Sequence, residues 1–310
     1  MKQAKVYVGI DVAKGHLDVA WEQTRWRIPN DAGGHRELLQ RLEQVSGGLM
    51  QVICEASGGY ERRLLSALAR GGIDFSLVQA SRVRHYARAC GLLAKTDAID
   101  AQLLARFGRA IAPIPTKGLP PEHEQLRQLE DQRRHLVRVL VAQQNRQAQL
   151  SNKTLLRLSS RLIAQLRKQI AQLEALLAAS IAQNPELSAK ARKLTSIVGV
   201  GPRTATLLLA QMPELGELNR REAAALAGLA PFNRDSGSLQ GKRTIFGGRR
   251  AVRCGLYMAA LVAARRNPIL APFYQRLRRA GKPPKLALTA TMRKLLIALN
   301  STLKTDPIPP

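Results

Sequence analysis

Lys5–Asp11, KVYVGID, decides the fold: apolar and polar positions alternate through Ile10, and the run ends on the carboxylate of Asp11. A period of two is the pattern of a strand. Working outward, His16–Trp21 continues as a second strand after a turn at Val12–Gly15, and Trp26–Ile28 offers a third. The period then changes: His35–Val45 places Leu38, Leu39, Leu42 and Val45 at helical spacing. Met50–Cys54 (MQVIC) is a buried-type strand ending at Glu55, and Gly58-Gly59 opens a helix through Leu64, Leu65 and Leu68 that stops at Gly71-Gly72. Asp74–Val78 is another strand, followed by helical text from Ser81 and again from Thr96. Three consecutive strands followed by strand–helix units predict an α/β domain of about 110 residues, a mixed sheet with helices on its faces.

A Pro-rich break, Ala112–Pro121 (APIPTKGLPP), ends this first domain, which we set at residues 1–115. Glu122–Leu150 and Leu155–Gln183 then contain neither Pro nor Gly. In the second stretch Leu155, Leu158, Leu162, Leu166, Ile170, Leu173, Leu177 and Ile181 recur every three or four residues, one apolar stripe on a long helix. Residues 116–185 therefore read as a helical, coiled-coil arm. Ser151–Thr154 is either a turn between antiparallel helices or part of one continuous helix. The stripe meets a partner chain or folds back on its own domain. Asn184-Pro185 closes the arm, and residues 186–310 read as an all-α domain with helices at Ala191–Ile197, Thr204–Gln211, Arg221–Leu229, Val252–Ala264, Phe273–Ala280 and Leu286–Leu303. Among them lies a polar, Gly-rich, basic stretch, Ala230–Arg250 (APFNRDSGSLQGKRTIFGGRR).

The charge says what the protein meets. Over 310 residues, 49 Lys and Arg face 22 Asp and Glu, a net charge of +27. Residues 1–115 carry a net +5, residues 116–190 a net +6 and residues 191–310 a net +16. Such a surplus is the footprint of a polyanion, and nucleic acid is the partner it fits. No stretch joins a continuous apolar face to a cationic one in the manner of a membrane anchor, so no membrane partner is expected. Aromatic residues make up only 4%, which argues against a protein that reads single strands by stacking and suits backbone-directed duplex binding. The three cysteines, Cys54, Cys90 and Cys254, form no CxxC pair and read as reduced thiols; the five histidines are too scattered for a His-built metal site. No apolar run approaches the ~20 residues of a membrane span. The first residues read as a strand, not a signal peptide, so a soluble intracellular protein is expected.

Four carboxylates stand where chemistry is expected. Asp11 interrupts an apolar strand, where an unpaired carboxylate is costly to bury. Glu55 sits at the C-terminal end of a strand, the edge at which open α/β sheets place their sites. Asp97 and Asp100 are three apart at a helix start (KTDAIDAQLLAR) and project from nearly the same face. Four converging acids repel one another unless a divalent cation sits among them, and an all-oxygen set favours Mg²⁺, with Mn²⁺ as the alternative. Each also has a plainer reading: Asp11 as a turn residue, Glu55 as a helix cap, Asp97 as the N-cap of the Asp100 helix. Ile197–Pro202 (IVGVGP), followed by helical Arg203–Gln211, resembles the hairpin of a helix–hairpin–helix motif. There Gly199 and Gly201 let backbone N–H groups approach a phosphate beside Arg203; the alternative is a tight helix–helix turn.

These residues resemble a known family. GIDVAK, CEASGGYE and AKTDAIDA are similar to the RuvC-like, ribonuclease-H-fold domain of the DEDD insertion-sequence transposases, the "IS one-ten" family. SIVGVGPRTA, ALAGLAPFNRDSGSLQGKR and GGRRAVRCGLYMAAL resemble the second transposase domain of the same family, so the likeness covers nearly the whole chain. It implies that Asp11, Glu55, Asp97 and Asp100 are catalytic metal ligands. It further implies that Ser236, in Asp235-Ser236-Gly237, is the nucleophile, with Ser238 close by. A serine attacking DNA phosphorus would form a covalent phosphoserine and conserve bond energy for religation. Arg234, Lys242, Arg243, Arg249 and Arg250 surround it in sequence and would stabilise charge on the phosphate. Without the resemblance, Arg234–Gly237 reads as a polar turn, and Tyr257 is a rival nucleophile at a packing position. The resemblance also implies a composite site of acids and serine, formed within or between subunits of a dimer or tetramer. Its other partners are double-stranded donor and target DNA and a structured, element-encoded guide RNA. A RuvC-like Holliday-junction endonuclease would need the acids but no serine, and a non-catalytic RNA- or DNA-binding protein only the basic surface.

Overall fold

The computed structural model describes residues 5–45, 49–92, 97–232, 235–236, 239–240 and 243–304. The chain divides into two compact units, residues 1–119 and residues 120–310.

The first unit is built on a five-stranded sheet of order β3-β2-β1-β4-β5. Strands β1 (Val6–Val12), β2 (His16–Trp21) and β3 (Thr24–Pro29) form an antiparallel meander, while β4 (Met50–Glu55) and β5 (Asp74–Val78) add in parallel to β1. The mixed sheet is the one the sequence predicts, and it is consistent with a ribonuclease-H-like architecture. Alternation sorts its faces. Val8, Ile10, Leu17, Val19, Ile28, Val52 and Cys54 turn to one side, under Leu38 and Leu42 of α1 (Ala32–Val45) and Leu64 and Leu68 of α2 (Arg62–Arg70). Ile53 and Val78 turn to the other, against Val83 of α3 (Ala80–Ala89) and Leu103, Leu104 and Phe107 of α4 (Asp97–Ile111).

Several boundaries differ from the sequence reading for local reasons. β1 runs through Asp11 and Val12, where a turn is expected, because both residues stay in the ladder opposite Asp18 and Leu17. α1 starts at Ala32, before His35, because Asp31 Oδ1 accepts from Gly34 N–H (2.9 Å) and caps the first turn despite two glycines. α2 starts at Arg62 and not at Gly58-Gly59, since the glycines belong to a loop held by Glu61. The Pro-rich break is pinned to the sheet: Thr116 N–H donates to Phe75 O (2.7 Å), Leu77 N–H to Thr116 Oγ1 (3.0 Å), and Gln51 Nε2 to Pro113 O (2.7 Å). This segment covers the edge strand β5.

The second unit is helical. α5 (Pro121–Gln147) and α6 (Lys153–Gln183) pack together on either side of a turn, so Ser151–Thr154 does not carry one continuous helix. Asn152 caps α6 by accepting from Thr154 and Leu155 N–H. α7 (Pro185–Thr195) starts at once, capped by Asn184 with Pro185 in its first turn, so Asn-Pro ends one helix and begins the next. α8 (Pro202–Gln211), α9 (Arg220–Leu226), α10 (Arg250–Arg266), α11 (Leu270–Arg279) and α12 (Pro284–Leu303) complete it. Leu126, Leu177, Ile181, Leu194, Leu208, Leu256, Leu295 and Leu299 share one core, so the base of the α5–α6 hairpin belongs to it.

The apolar stripe of α6 divides. Leu166, Ile170, Leu177 and Ile181 are buried, but Leu155, Leu158 and Leu162 are exposed. Near the turn the contact with α5 is polar instead: Gln143 Nε2 donates to Ser159 Oγ (3.0 Å) and Gln147 Nε2 to Ser160 Oγ (2.8 Å).

Candidate functional site

Asp11 and Glu55 are fixed by register. Ile10 of β1 pairs with Cys54 of the parallel β4, and each carboxylate is the next residue along its strand. Neighbouring strands lie about 4.8 Å apart, and residues in register point to the same face. Ile10 and Cys54 face α1 and α2, so Asp11 and Glu55 fall on the face that α4 covers.

The direction of α4 follows from two glycines. A Cβ on Gly9 would lie 2.0 Å from Ala101 O and 2.5 Å from Ala105 N, so the backbones of β1 and α4 touch there. A Cβ on Gly108 would lie 2.7 Å from Ile53 Cγ1 and 2.8 Å from Tyr7 Cδ1. The helix therefore passes from Gly9 toward Tyr7 as its numbering rises, antiparallel to β1. Its N-terminus points to the C-terminal edge of β1 and β4. Asp11 lies two residues beyond Gly9, roughly 6.6 Å along the strand. Asp97 and Asp100 open α4, about 2–6 Å before Ala101 at ~1.5 Å per residue. Backbone geometry thus gathers all four predicted acids at one sheet edge, with the helix N-terminus favouring negative charge.

Asp11, Glu55 and Asp100 are half-buried and each is engaged within the protein. The side chain of Asp97 lies outside those described. Among the described residues no three His, Cys, Asp or Glu side chains draw together into a metal-ligand set. The donor set at this edge is nonetheless all carboxylate oxygen, which fits a hard divalent cation.

Two further residues shape this edge, and the sequence reading missed both. Asp18 stands directly opposite Asp11 on β2, a like-charge pair that would be unfavourable alone. Arg27 answers it from β3 with a bidentate grip on the Asp18 carboxylate (Nε 2.8 Å, Nη2 3.0 Å). Glu61 organises the loop that leaves Glu55: its Oε2 accepts from Ser57 N–H (3.1 Å), Ser57 Oγ (2.9 Å) and Gly59 N–H (2.8 Å). Burial alone would raise the Glu61 pKa, but its own backbone N–H together with these donors outweighs it and holds the carboxyl below its ordinary value. Cys54, one residue before Glu55, is inert, since burial and then Glu61 push its thiol up to about 12.

In the second unit, Ser236 sits on a β-ribbon between α9 and α10. Pro231–Phe232 (β6) pairs with Thr244–Ile245 (β9), and Asp235–Ser236 (β7) with Leu239–Gln240 (β8). Ser236 opposes Leu239, so two residues, Gly237 and Ser238, link them. The Ser236 side chain lies outside those described, as do Arg234, Gly237, Ser238 and Lys242 altogether. The ribbon's base is tightly closed. Gly228 and Gly248 both have positive φ (67° and 65°), and a Cβ on Gly248 would fall 2.1 Å from Gly228 N. Arg249 N–H donates to Leu226 O (2.7 Å), and Arg253 Nη1 to Gly247 O (2.8 Å). The Arg249 guanidinium grips Glu214 through two bonds of 2.6 Å and also donates to Gln211 O (2.8 Å). Arg243 and Arg250 are exposed, and so is Tyr257 on α10, which is therefore not at the packing position its helical spacing suggests.

Ser196–Gly201 joins α7 to α8. A Cβ on Gly199 would meet Ala263 Cβ at 2.8 Å and Ala259 O at 3.0 Å, whereas Gly201 faces open space. Arg203 is largely exposed, with Nη2 3.1 Å from Glu174 Oε2. Among the described residues no helix is long and apolar enough to cross a membrane.

Against known proteins, residues 8–154 match a family model for DEDD-type transposases, and residues 191–275 match the family described as "Transposase IS116/IS110/IS902 family". The pilin gene-inverting proteins of Moraxella bovis and Moraxella lacunata are each 31% identical over 309 residues, which covers 94% of this chain and 94% of either relative.

Proposed function

Since the chain belongs to the IS110 family of transposases, we propose that it excises and integrates its own insertion sequence by serine-mediated strand exchange. The supporting observation is that the backbone positions of Asp11, Glu55, Asp97 and Asp100 lie at one sheet edge. On this reading residues 1–115 are the catalytic α/β domain, 116–185 the arm, and 186–310 the domain that carries the nucleophile.

Ser236 Oγ attacks a DNA phosphorus, forming a phosphoserine ester as the bond to the 3′ oxygen breaks; that oxygen leaves with a proton. A second 3′ hydroxyl reverses the step on a new partner, so no external energy source is needed. Arg234, Lys242, Arg243 and Arg250 stabilise charge on the phosphate, and Arg249 holds the ribbon in place through Glu214. Asp11, Glu55, Asp97 and Asp100 would hold a divalent cation, Mg²⁺ or Mn²⁺, whose role when bound is to neutralise charge at the scissile phosphate. Asp18, clamped by Arg27, keeps its charge from dispersing this group. Gly199, Gly201 and Arg203 contact the duplex backbone at the start of α8. A guide RNA would supply sequence choice through pairing with donor and target DNA, so the protein need read only backbone and shape. The relatives' named activity, inversion of a pilin gene, is an outcome the same cutting and rejoining would give at two sites in one DNA. The exposed leucines near the α5–α6 turn join two copies.

The test is to trap protein–DNA adducts with wild type, Ser236→Ala and Asp11→Ala. Wild type should give a serine-linked adduct, and Ser236→Ala none. Cleavage that survives in Ser236→Ala but is lost in Asp11→Ala would replace the recombinase reading with a nuclease.

A further inference from the structure

A groove of about 800 Å³ opens in the second unit between β9, α11 and α12. Its volume lies in the range, roughly 300–1,000 Å³, that seats one small organic group. Its lining is largely apolar, with Ile245, Leu286, Ile297 and Phe273 all contributing. Four cations also line it, Arg243, Lys285, Arg293 and Lys294, and among the described residues no acid does. Lys294 Nζ lies 4.5 Å from the centre of the Phe273 ring and Arg276 Cζ lies 5.4 Å from it, so the ring already has cationic neighbours. Arg293 Nε is buried without a hydrogen-bond partner, a donor that has given up water and gained nothing in exchange.

The occupant must supply an apolar surface and an anion together. A second copy of the chain is a poor match, since it carries +27 and would meet those cations. A nucleotide meets both demands, with its flat base for the apolar side chains and its phosphate for the cations. The groove also adjoins the serine ribbon: Pro231 and Ile245, which pair across it, both line the groove. Ser236 is five residues from Pro231, at most about 17 Å by chain reach. That is roughly five base steps at ~3.4 Å each.

We propose that this groove receives one unstacked nucleotide of the bound DNA, its base against Ile245, Leu286 and Ile297 and its phosphate on Arg293 and Lys285. The inference rests on the reading of the chain as a DNA recombinase. Lifting a base from the stack costs a few kcal/mol, which apolar burial and pairing of the orphaned Arg293 Nε–H offset. The largely aliphatic lining holds one base by burial and needs no aromatic platform.

The experiment uses the full-length protein with the RNA encoded by the element and a duplex of the element's end carrying a single 2-aminopurine at successive positions, a base whose fluorescence rises when it leaves the stack. Anisotropy sets protein concentrations so that every form is saturated with duplex. Wild type should give a several-fold rise at one or two neighbouring positions near the cleavage site. Leu286→Asp and Arg293→Gln, each verified as folded by circular dichroism, should abolish it. With 5-iododeoxyuridine at the responsive position, photo-crosslinking should label the peptide spanning residues 283–297. A saturated wild type with no responsive position overturns the proposal and leaves the recombinase reading standing. A rise that persists in both variants places the base elsewhere and also overturns it. A change in oligomer mass on Leu286→Asp with fluorescence intact would make the groove an interface between copies. A wild type that binds no duplex at all would sink the underlying reading instead.

Discussion

Glu61 carries more of the acid edge than its place in the sequence suggests. It lies inside CEASGGYE, yet nothing in that text distinguishes it from a surface glutamate, because its role depends on a loop shape that only the folded backbone supplies. Asp11 and Glu55 were legible, since a carboxylate at the end of an apolar strand is conspicuous in one dimension. Asp18 was not: in HLDVAW it is simply the polar member of an alternation, and its importance comes from cross-strand register. The folded-state pKa of Glu61 is depressed relative to the unfolded chain. The sign follows: its stabilisation is present above the unfolded value of about 4.3 and is lost as pH falls through the lower folded value. Glu61→Gln removes a charged acceptor from two backbone N–H groups and a hydroxyl. We expect a loss of about 1–3 kcal/mol at pH 7, measured by urea unfolding, and a smaller acid-induced loss below pH 4 than in wild type. Equal acid sensitivity in the two proteins would show that Glu61 does not act as a charged acceptor.

At the scale of elements, the order of strands and helices was legible and the packing between them was not. Period-two and period-3.6 text located β1 and α4, but Gly9 in KVYVGID gives no sign that a helix backbone rests on it. Gly9→Ala adds one methyl where Ala101 O already stands 2.0 Å away. Either the strand or α4 must shift, at a cost of about 1–3 kcal/mol. Because α4 carries Asp97 and Asp100, strand exchange should fall further than DNA affinity. Thermal unfolding measures the stability cost, a strand-exchange assay beside gel-shift titration separates activity from affinity, and a parallel loss of both would show that α4 does not position the acids. The arm makes the same point. A continuous stripe from Leu155 to Ile181 is plain in sequence, but its division is set by Gln143–Ser159 and Gln147–Ser160, pairs that no periodicity reveals. Leu158→Lys with Leu162→Lys changes only exposed positions, so stability should move by less than about 0.5 kcal/mol. Light scattering with RNA present should nevertheless show the assembly reduced to monomers; an unchanged mass would free the arm of any role in pairing.

For the whole molecule, charge was the most legible property and its partition the least. A net +27 forecasts a polyanion from composition alone, yet it does not say which cations are free to meet one. Arg249 and Arg250 are adjacent in sequence and equivalent to any count. In the fold Arg249 commits its guanidinium to Glu214 and Gln211, while Arg250 is exposed at the start of α10. Burial tends to raise the Glu214 pKa, and the Arg249 pair overrides it and holds the carboxyl below its ordinary value. The two side chains are about one-third exposed (34% and 33%), so screening places the pair between surface and buried cases. Arg249→Gln should therefore destabilise the protein by about 1–2 kcal/mol, against an upper range of 3–5 for a fully buried pair. Arg243→Gln and Arg250→Gln should leave stability within about 0.5 kcal/mol and act on binding instead. Each DNA phosphate left without its arginine lowers the slope of log affinity against log salt by about 0.9, so the double variant should lower it by nearly two. Salt titrations of duplex binding, run beside urea unfolding for all three variants, measure both axes. If Arg249→Gln lowers the slope as much as its neighbours do while leaving stability intact, the grip on Glu214 is incidental and Arg249 belongs with the DNA.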